Sequence, residues 1–154
     1  MIYVYNAGPL FSEAEQKQRL YEGARLRDVI KERGFVANPL ELPFAVDTPI
    51  ASAEIFNKDT SHIDAANVLF FDLATNDSGT LVELGMAIEK LRQGKDLKLY
   101  PIFSDLRLLR NQASGLESPV GFNSFVVGSL TSHHIEVFAS FEQALEQFIL
   151  DFEL

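Results

Sequence analysis

The stretch Val68-Leu69-Phe70-Phe71-Asp72-Leu73 decides the fold class that the sequence predicts. Five of its six residues are apolar, which is typical of a central strand buried on both faces of a parallel sheet. A turn is expected at 76–79, and a helix from about Thr80 to Arg92 follows it. A buried strand, a turn and a helix in this order form one unit of an alternating β/α chain.

The segment before this unit continues the alternation. Residues 2–7 are predicted to form a buried first strand, and a short strand is expected at 35–37. Ser12 and Glu15 have the spacing of a capping box, so a helix is predicted to begin there and to end at Gly34. Its inward face is expected to carry Leu20, Tyr21, Ala24, Val29 and Ile30.

The segment after the unit shows the same pattern. Strands are predicted at 97–103 and, as a short fifth strand, at 135–138. A second capping box, at Ser140 and Gln143, opens a final helix with one apolar face. We therefore expect a single domain over residues 1–154 of the α/β class. Its architecture is predicted to be a flavodoxin- or Rossmann-like doubly wound sheet, mostly parallel, of about five strands with helices on both faces.

Charge and hydropathy exclude two kinds of partner. The net charge is −9 and no basic cluster offsets it, so a polymeric nucleic acid is not an expected partner. No apolar run reaches the ~20 residues that a membrane-spanning helix needs, so no membrane association is expected. The first residues lack the basic region of a signal peptide, and a cytoplasmic location is the expectation.

Residue types also limit the chemistry. The sequence has no cysteine, which excludes thiolate catalysis and cysteine-based metal sites. The histidines show no ligand spacing with other candidate residues, so no metal is expected; they are His62, His133 and His134. The glycine fingerprint of dinucleotide enzymes and the P-loop are both absent, and no cofactor is expected.

Asp59 is the first carboxylate that stands out. It is predicted to lie on an apolar helical face between Ile55 and Ile63, where an unpaired ionised carboxylate is costly. A salt bridge or a cap for a neighbouring loop explains such a residue, and the pattern alone favours that interpretation. The functional alternative is a carboxylic acid with a raised pKa that can donate a proton.

Three further polar residues fall near the carboxyl ends of the predicted strands, where ligands bind in such folds. Glu83, near the start of a helix whose dipole favours its ionised form, is either a surface residue or a nucleophile. Asp77 is either an ordinary helix cap or part of a site. Tyr5 ends the first strand and is either a core aromatic or a site residue. Glycosyl transfer needs one carboxylate as nucleophile and one as acid, and this set contains candidates for both.

The motifs, taken in order, resemble those of the nucleoside 2-deoxyribosyltransferase family. The similar segments are YNAGPLF at 5–11, Asp59 with IDAANV at 63–68, DSGTLVELGMA at 77–87, and NSFVVG at 123–128. The third segment has an aspartate six residues before a glutamate and a Leu-Gly pair after it. In the second segment Asn67 replaces an aspartate that often precedes the central strand in the family.

The resemblance implies three catalytic roles. Glu83 would attack C1′ of the deoxyribose and form a covalent ester. Asp59 would protonate the departing base and later deprotonate the incoming one. Tyr5 would donate a hydrogen bond to Glu83 and hold it in place. The substrates would be a small-molecule deoxynucleoside and a free nucleobase, for which the Phe-rich composition offers stacking partners.

The resemblance also implies the substrate-binding residues. Asp77 and Asn123 would bind the 5′-hydroxyl of the sugar, and Gly8 and Phe125 are the further expected substrate contacts. In the family the asparagine segment comes from a neighbouring subunit. The chain is therefore expected to form a homo-oligomer, a dimer or a trimer of dimers, in which Asn123 and Phe125 complete a neighbour's site. Base preference is expected to depend on the segments 38–49 and 104–122.

Three alternatives remain open at this point. The related 2′-deoxynucleoside 5′-monophosphate N-glycosidases are expected to carry serines at the positions of Asp77 and Asn123. An aspartate would repel a dianionic phosphate, whereas a 5′-hydroxyl can donate to it. A nucleoside hydrolase would use water in place of the second base. A flavodoxin-like binding domain would carry purely structural carboxylates, which would then not converge on one cleft beside Tyr5.

Overall fold

The computed structural model describes residues 1–42, 50–106 and 122–154. Its sheet contains the strands β1 (Ile2–Ala7), β2 (Gly34–Ala37), β3 (Val68–Asp72) and β4 (Lys98–Ile102). The helices are α1 (Glu13–Ile30), α2 (Ser52–Ala65), α3 (Ser78–Arg92), α4 (Ser124–Thr131) and α5 (Phe141–Phe152). Most of the two segments expected to govern base preference, 38–49 and 104–122, lies outside the described residues.

The four strands are parallel and lie in the order β2-β1-β3-β4. The predicted α/β class and parallel sheet are confirmed, with four strands in the described residues instead of about five. The run from Val68 to Phe71 is fully buried, as expected for an interior strand. Tyr5 of β1 pairs in register with Ala37 of β2 and with Leu69 of β3, so its side chain starts from the middle of the sheet.

Helices cover both faces of the sheet. Side chains of successive strand residues point to opposite faces, so the apolar strands present buried side chains on each side. On one face, Val4 and Phe70 pack with α1 and α5, where the Phe70 ring stacks on Tyr100 with centroids 4.8 Å apart. On the other face, Tyr5 and Leu69 pack with residues of α2, α3 and α4. The prediction of helices on both faces is thereby confirmed.

The predicted fifth strand at 135–138 is reduced to a single parallel bridge between Ile102 and Phe138. The Phe138 N–H donates to the Pro101 carbonyl at 2.9 Å, so that carbonyl faces the outer edge of β4. In a strand, the nitrogen and the carbonyl of one residue point to the same side. The missing N–H of Pro101 therefore costs no hydrogen bond to β3, and the proline is compatible with this edge strand.

The predicted inward face of α1 is largely wrong. Ile30 is buried and Val29 half-buried, but Ala24 is exposed, and Leu20 and Tyr21 are 47% and 48% exposed. Charged side chains take the inward positions instead, since Arg19 and Glu22 are each 1% exposed.

Two ion pairs explain this inversion of α1. Arg19 Nη2 lies 3.0 Å from Glu22 Oε1 and 2.7 Å from Asp72 Oδ2. Hydrophobic periodicity assumes that charged residues face water, and buried pairs of opposite charge break that assumption. The helix also ends earlier than predicted, at Ile30, and a 3-10 turn over Lys31–Arg33 continues the chain to Gly34.

Candidate active site

Strand β1 and helix α3 bring Tyr5 and Glu83 together. The fully buried Tyr5 side chain donates its O–H to Glu83 Oε1 at 2.5 Å. Burial is the main cause that raises the pKa of Glu83 to about 7, and the charges of Asp59 and Asp77 raise it further, whereas the Tyr5 hydrogen bond lowers it. Burial and the charge of Glu83 also raise the pKa of Tyr5, which therefore remains a donor.

The electrostatic expectation for Glu83 was wrong in one respect. The sequence predicted that the α3 dipole would favour the ionised form, but Glu83 is the sixth residue of the helix. The dipole acts mainly within the first turn, so it does not offset the burial of this carboxyl. Both the neutral and the ionised forms of Glu83 are therefore populated near neutral pH.

Asp59 is half-buried in the second turn of α2. Its Oδ1 atom is buried and has no hydrogen-bond partner among the described residues. Burial raises the pKa of Asp59, an effect that His62 and Lys58 oppose. A carboxyl in this setting is stabilised by taking up a proton, as a general acid requires.

Asp77 is the N-cap of α3, so its expected structural role is present. Its Oδ2 accepts hydrogen bonds from the Thr80 N–H at 2.8 Å and from the Thr80 hydroxyl at 2.9 Å. Among the described residues no hydrogen bond involves Oδ1 of Asp77, which leaves that oxygen as an acceptor for a ligand. The cap and a binding role are therefore compatible in one side chain.

Asp59, Asp77 and Glu83 all line one cavity of about 440 Å³ at the carboxyl edge of the sheet. This volume lies in the usual range for small-molecule sites. The other described lining residues are Gly8, Leu10, Phe11, Pro39, Leu40, Ile50, Ile55, Gly79 and Thr80. The convergence of the three carboxylates disfavours a binding domain with scattered structural charges.

The described phenylalanines divide between the core and the surroundings of the site. Phe11 is the one phenylalanine in the described lining of this cavity. The Phe70 ring instead contacts those of Phe141 and Phe148 in the core between the sheet and the helices α1 and α5. Much of the aromatic content therefore supports the fold rather than the site.

Asn123 and Phe125 lie away from the carboxylate cavity of their own chain. Asn123 is the N-cap of α4, and its Oδ1 accepts from the N–H groups of Phe125 and Val126 at 2.9 and 3.4 Å. The Phe125 side chain is 86% exposed. It borders a second cavity, of about 520 Å³, between α3 and α4, whose lining includes Leu81 and Ile88.

The sequence analysis did not single out Arg19, which the structure buries next to the loop after β1. Its Nη1 donates to the Ala7 carbonyl at 3.2 Å, and its Nη2 donates to Asp72 Oδ2 at 2.7 Å. Two signals were present in the sequence: Glu22 stands three residues after Arg19, and Asp72 is the one charged residue in an otherwise apolar strand. If buried, the carboxylates of Glu22 and Asp72 would each need a positively charged partner, and Arg19 is that partner.

Within 1–42, 50–106 and 122–154, no group of three or more His, Cys, Asp or Glu residues is arranged to hold a metal ion. No helix in this part of the chain has the length and apolar character to cross a bilayer.

A family model described as nucleoside 2-deoxyribosyltransferase matches residues 4–103, which is more than half of the chain. The chain belongs to this family. The matched range includes the four residues of the candidate site: Tyr5, Asp59, Asp77 and Glu83.

Several proteins resemble this member of the family over nearly its whole length. A conserved protein from Enterococcus faecalis V583 aligns with a TM-score of 0.71 and 24% identity over 95% of this chain and 96% of that one. The 2-deoxyribosyltransferase from Bacillus psychrosaccharolyticus gives a TM-score of 0.60 and 21% identity over 91% and 88%. A 2-deoxyribosyltransferase from Leishmania mexicana gives 0.60 and 25% over 97% of both chains. An uncharacterised protein of Ureaplasma parvum serovar 3 is 26% identical over 97% of this chain and 96% of its own.

Proposed function

We propose that this protein transfers 2-deoxyribose from one nucleobase to another through a covalent ester on Glu83. The observation that carries the proposal is the 2.5 Å hydrogen bond from Tyr5 to Glu83 at a cavity that Asp59 also lines. A second carboxyl with a raised pKa beside a held carboxylate supplies an acid and a nucleophile.

The first half of the reaction forms the ester. The Glu83 carboxylate attacks C1′ while the bond between C1′ and the base nitrogen breaks, and the bonding electron pair leaves with the base. Asp59 donates its proton to that base, which departs as a neutral molecule. Tyr5 keeps its own proton and orients the attacking carboxylate through its hydrogen bond.

The second half reverses these steps with a new base. A nitrogen of the incoming base attacks C1′, its proton passes to Asp59, and the Glu83 carboxylate leaves. Two inversions at C1′ give net retention of configuration. Leu10, Leu40 and Ile55 give the cavity apolar walls. Such walls favour binding of a flat base and disfavour entry of water during the lifetime of the ester.

The 5′ end of the substrate separates this proposal from a 5′-monophosphate N-glycosidase. Asp77 would accept a hydrogen bond from a free 5′-hydroxyl through Oδ1 and would repel a phosphate dianion. The described lining of the cavity contains no lysine or arginine that would offset this repulsion. These observations favour nucleosides over nucleotides as substrates.

The proposal includes a homo-oligomer. Asn123 and Phe125 do not reach the cavity of their own chain, and Phe125 is almost fully exposed beside an apolar groove. A side chain of this size gains free energy when a partner removes it from water. A neighbouring copy that brings Asn123 and Phe125 to the carboxylate cavity accounts for both features.

The test is a base-exchange assay. The protein is incubated with a 2′-deoxynucleoside and a different free base, and products are separated by chromatography. A parallel tube contains the 5′-monophosphate without an acceptor base. Glu83→Gln is the test variant, and Glu89→Gln is the matched control, since Glu89 is exposed on the same helix and pairs with Arg92.

Three outcomes separate the alternatives. The exchanged deoxynucleoside is expected with the wild-type protein and with Glu89→Gln, and is expected to be absent with Glu83→Gln. Release of free base from the nucleoside without exchange would point to a nucleoside hydrolase. Release from the monophosphate alone would overturn the proposed substrate and the role of Asp77.

A further inference from the structure

The buried guanidinium of Arg19 joins the ends of the two interior strands. Its Nη1 donates to the carbonyl of Ala7, the last residue of β1, at 3.2 Å. Its Nη2 donates to Asp72, the last residue of β3, at 2.7 Å and to Glu22 of its own helix at 3.0 Å. One side chain that is 1% exposed therefore holds two strands at the edge where the cavity lies.

Each strand end leads directly into a loop of the site. After Ala7, the chain enters the loop whose Gly8, Leu10 and Phe11 line the cavity. After Asp72, it enters the loop that ends at Asp77. Asp72 also holds this second loop, because its Oδ1 accepts from the Ala74 N–H at 3.1 Å.

Gly8 shows how closely the guanidinium supports the first loop. A Cβ atom at position 8 would lie 2.0 Å from Arg19 Nη1 and 2.6 Å from Arg19 Cζ. The guanidinium cannot move aside easily, since it is buried and bound to a carbonyl and two carboxylates. Glycine at position 8 is therefore what lets this loop rest on Arg19.

Stability alone is a weak reason for such an arrangement. Buried ion pairs often add little to the free energy of unfolding, because removing the charges from water offsets their attraction. An arginine has a planar fork of donors that can fix several acceptors in one geometry, and lysine lacks it. The bonds of Arg19 use this property, since its two terminal nitrogens contact different strands.

On the basis of the proposed function, we propose that Arg19 is a positioning residue that locks the loop after β1 to the loop after β3. It does not line the carboxylate cavity, so it acts through the residues that do. Through Ala7 and Asp72 it sets the relative placement of two groups: Tyr5, near the end of β1, and Asp77 with the start of α3. Tyr5 and Glu83 then meet at hydrogen-bond distance, and the closed loops restrict water near the ester.

The kinetic test compares Arg19→Met, Arg19→Lys and a matched control, Arg33→Met. Arg33 donates from both terminal nitrogens to the carbonyls of Phe152 and Glu153, and it precedes β2, so it lies at the opposite edge of the sheet. The assay measures kcat, KM and the fraction of cleaved nucleoside that ends as free sugar instead of new nucleoside. That fraction does not depend on how much of the protein is folded.

A defined pattern is expected from these variants. Arg19→Met lowers kcat by about 100-fold, the loss typical of a small misplacement of reacting groups, and raises the hydrolysed fraction. Arg19→Lys lies between Arg19→Met and the wild type, because it retains the charge but not the fork. Arg33→Met leaves the hydrolysed fraction and kcat unchanged. An unchanged fraction and kcat in Arg19→Met would overturn the proposal.

A double-mutant cycle with Gly8→Ala adds a second criterion. In Gly8→Ala the new methyl group meets the guanidinium, so kcat falls and the hydrolysed fraction rises. In the Arg19→Met background the two atoms that would clash most closely, Nη1 and Cζ, are absent, and only the Asp72 Cβ at 3.1 Å remains near the new methyl group. The second substitution therefore has a much smaller effect there, and the two changes are non-additive. Simple additivity would contradict a shared mechanism.

Hydrogen exchange tests the same coupling without any substrate. The amide hydrogens of Gly8, Leu10 and Phe11 and those at 73–77 are expected to exchange faster together in Arg19→Met, but not in Arg33→Met. Wild-type exchange in both loops would overturn the positioning role. If the wild-type protein shows no transfer of deoxyribose between bases, the proposed function is wrong. The amide hydrogen exchange rates still decide in that case whether Arg19 locks the two loops.

Discussion

The hydroxyl of Tyr5 donates to Glu83 Oε1 at 2.5 Å, and this bond spans 78 positions of the sequence. It is made possible because β1 is an interior strand, which places Tyr5 between Ala37 and Leu69, facing the helix that carries Glu83. The bond lowers the pKa of Glu83, whereas burial raises it. The balance leaves a carboxyl that ionises near pH 7, within the range where an enzyme nucleophile must work.

Tyr5→Phe is expected to raise the pKa of Glu83 above about 7, because the variant loses the one interaction from Tyr5 that favours the carboxylate. At pH 7 the rate of base exchange should then fall by about 10- to 100-fold, the effect of losing one hydrogen bond to a charged group. The acid limb of the pH–rate profile should move to higher pH. Tyr100→Phe is the control, since Tyr100 lies in the core on the opposite face of the sheet and donates its hydroxyl hydrogen to Asp151.

The pH–rate profiles of Tyr5→Phe and Tyr100→Phe show whether the Tyr5 hydroxyl controls the ionisation of Glu83. A Tyr5→Phe profile that overlays that of the wild type would show that Tyr5 does not control the ionisation of Glu83. A shifted profile in Tyr100→Phe would mean that loss of any buried tyrosine hydroxyl produces the effect.

Glu83→Gln is expected to remove activity and to raise stability. The pKa of Glu83 is raised from 4.5 to about 7 in the folded state, so the folded protein binds this proton more tightly than the unfolded chain. The ionised carboxyl therefore destabilises the fold as pH rises from about 4.5 to 7, by up to about 3 kcal/mol. Removing it should increase the free energy of unfolding at pH 8 and change it little at pH 4.

Denaturant unfolding of both proteins at the two pH values measures this difference. Glu89→Gln should show no such pH-dependent gain, since Glu89 is exposed and paired with Arg92. Equal stability of Glu83→Gln and the wild type at pH 8 would contradict the proposed burial cost. Unfolding of the variant would instead assign Glu83 a structural role.

The sequence predicted the parts of the molecule that depend on local pattern. The buried run at Val68, the first strand and the capping box at Ser12 are all present. These features follow from apolar runs and from backbone donors that need acceptors, and both can be recognised in a single segment. The four carboxylate and tyrosine candidates converge because parallel strands end at one edge.

The sequence did not predict what depends on pairing between distant segments. The inward face of α1 was predicted wrongly because Arg19 pairs with Asp72, which lies 53 positions away in the sequence. The periodicity of apolar residues within one helix does not reveal a charged partner on a distant strand. The fifth strand was overpredicted because the residues near Phe138 form one bridge only. The raised pKa of Glu83 arises from burial, which depends on the assembled core and not on its position in a helix.

Asp59→Asn is expected to slow base exchange by about 10²- to 10⁴-fold, the usual contribution of a general acid, with little change in KM. An asparagine retains the size of the side chain but cannot donate a proton to the departing base. A 2-deoxyriboside whose leaving group needs no proton should recover much of the rate of the first half-reaction. Steady-state kinetics with both substrates measure the split.

Asp64→Asn is the control for this experiment. Asp64 lies on the same helix, is exposed, and pairs with Lys90 at 2.7 Å. If Asp59→Asn retains the wild-type rate with a natural nucleoside, Asp59 has no part in the mechanism. If the activated substrate is slowed as much as the nucleoside, Asp59 does not act as the acid.

A mixing experiment tests whether neighbouring subunits share a site. Glu83→Gln lacks the nucleophile, and Asn123→Ala lacks the residue proposed to reach a neighbour's cavity, so each variant alone is expected to be inactive. A mixed oligomer contains sites in which Glu83 of one chain meets Asn123 of the other. Base exchange should therefore reappear when the two variants are unfolded together and refolded as a mixture.

The control mixture combines Glu83→Gln with Asp59→Asn. Both residues line the same cavity of one chain, so no mixed site is complete and activity should not rise above the residual rate of Asp59→Asn alone. Failure of the first mixture to recover activity, although co-purification through a tag on one variant shows mixed oligomers, would mean that Asn123 does not serve a neighbour. In that case its role would be the one visible within a single chain, where its Oδ1 caps α4.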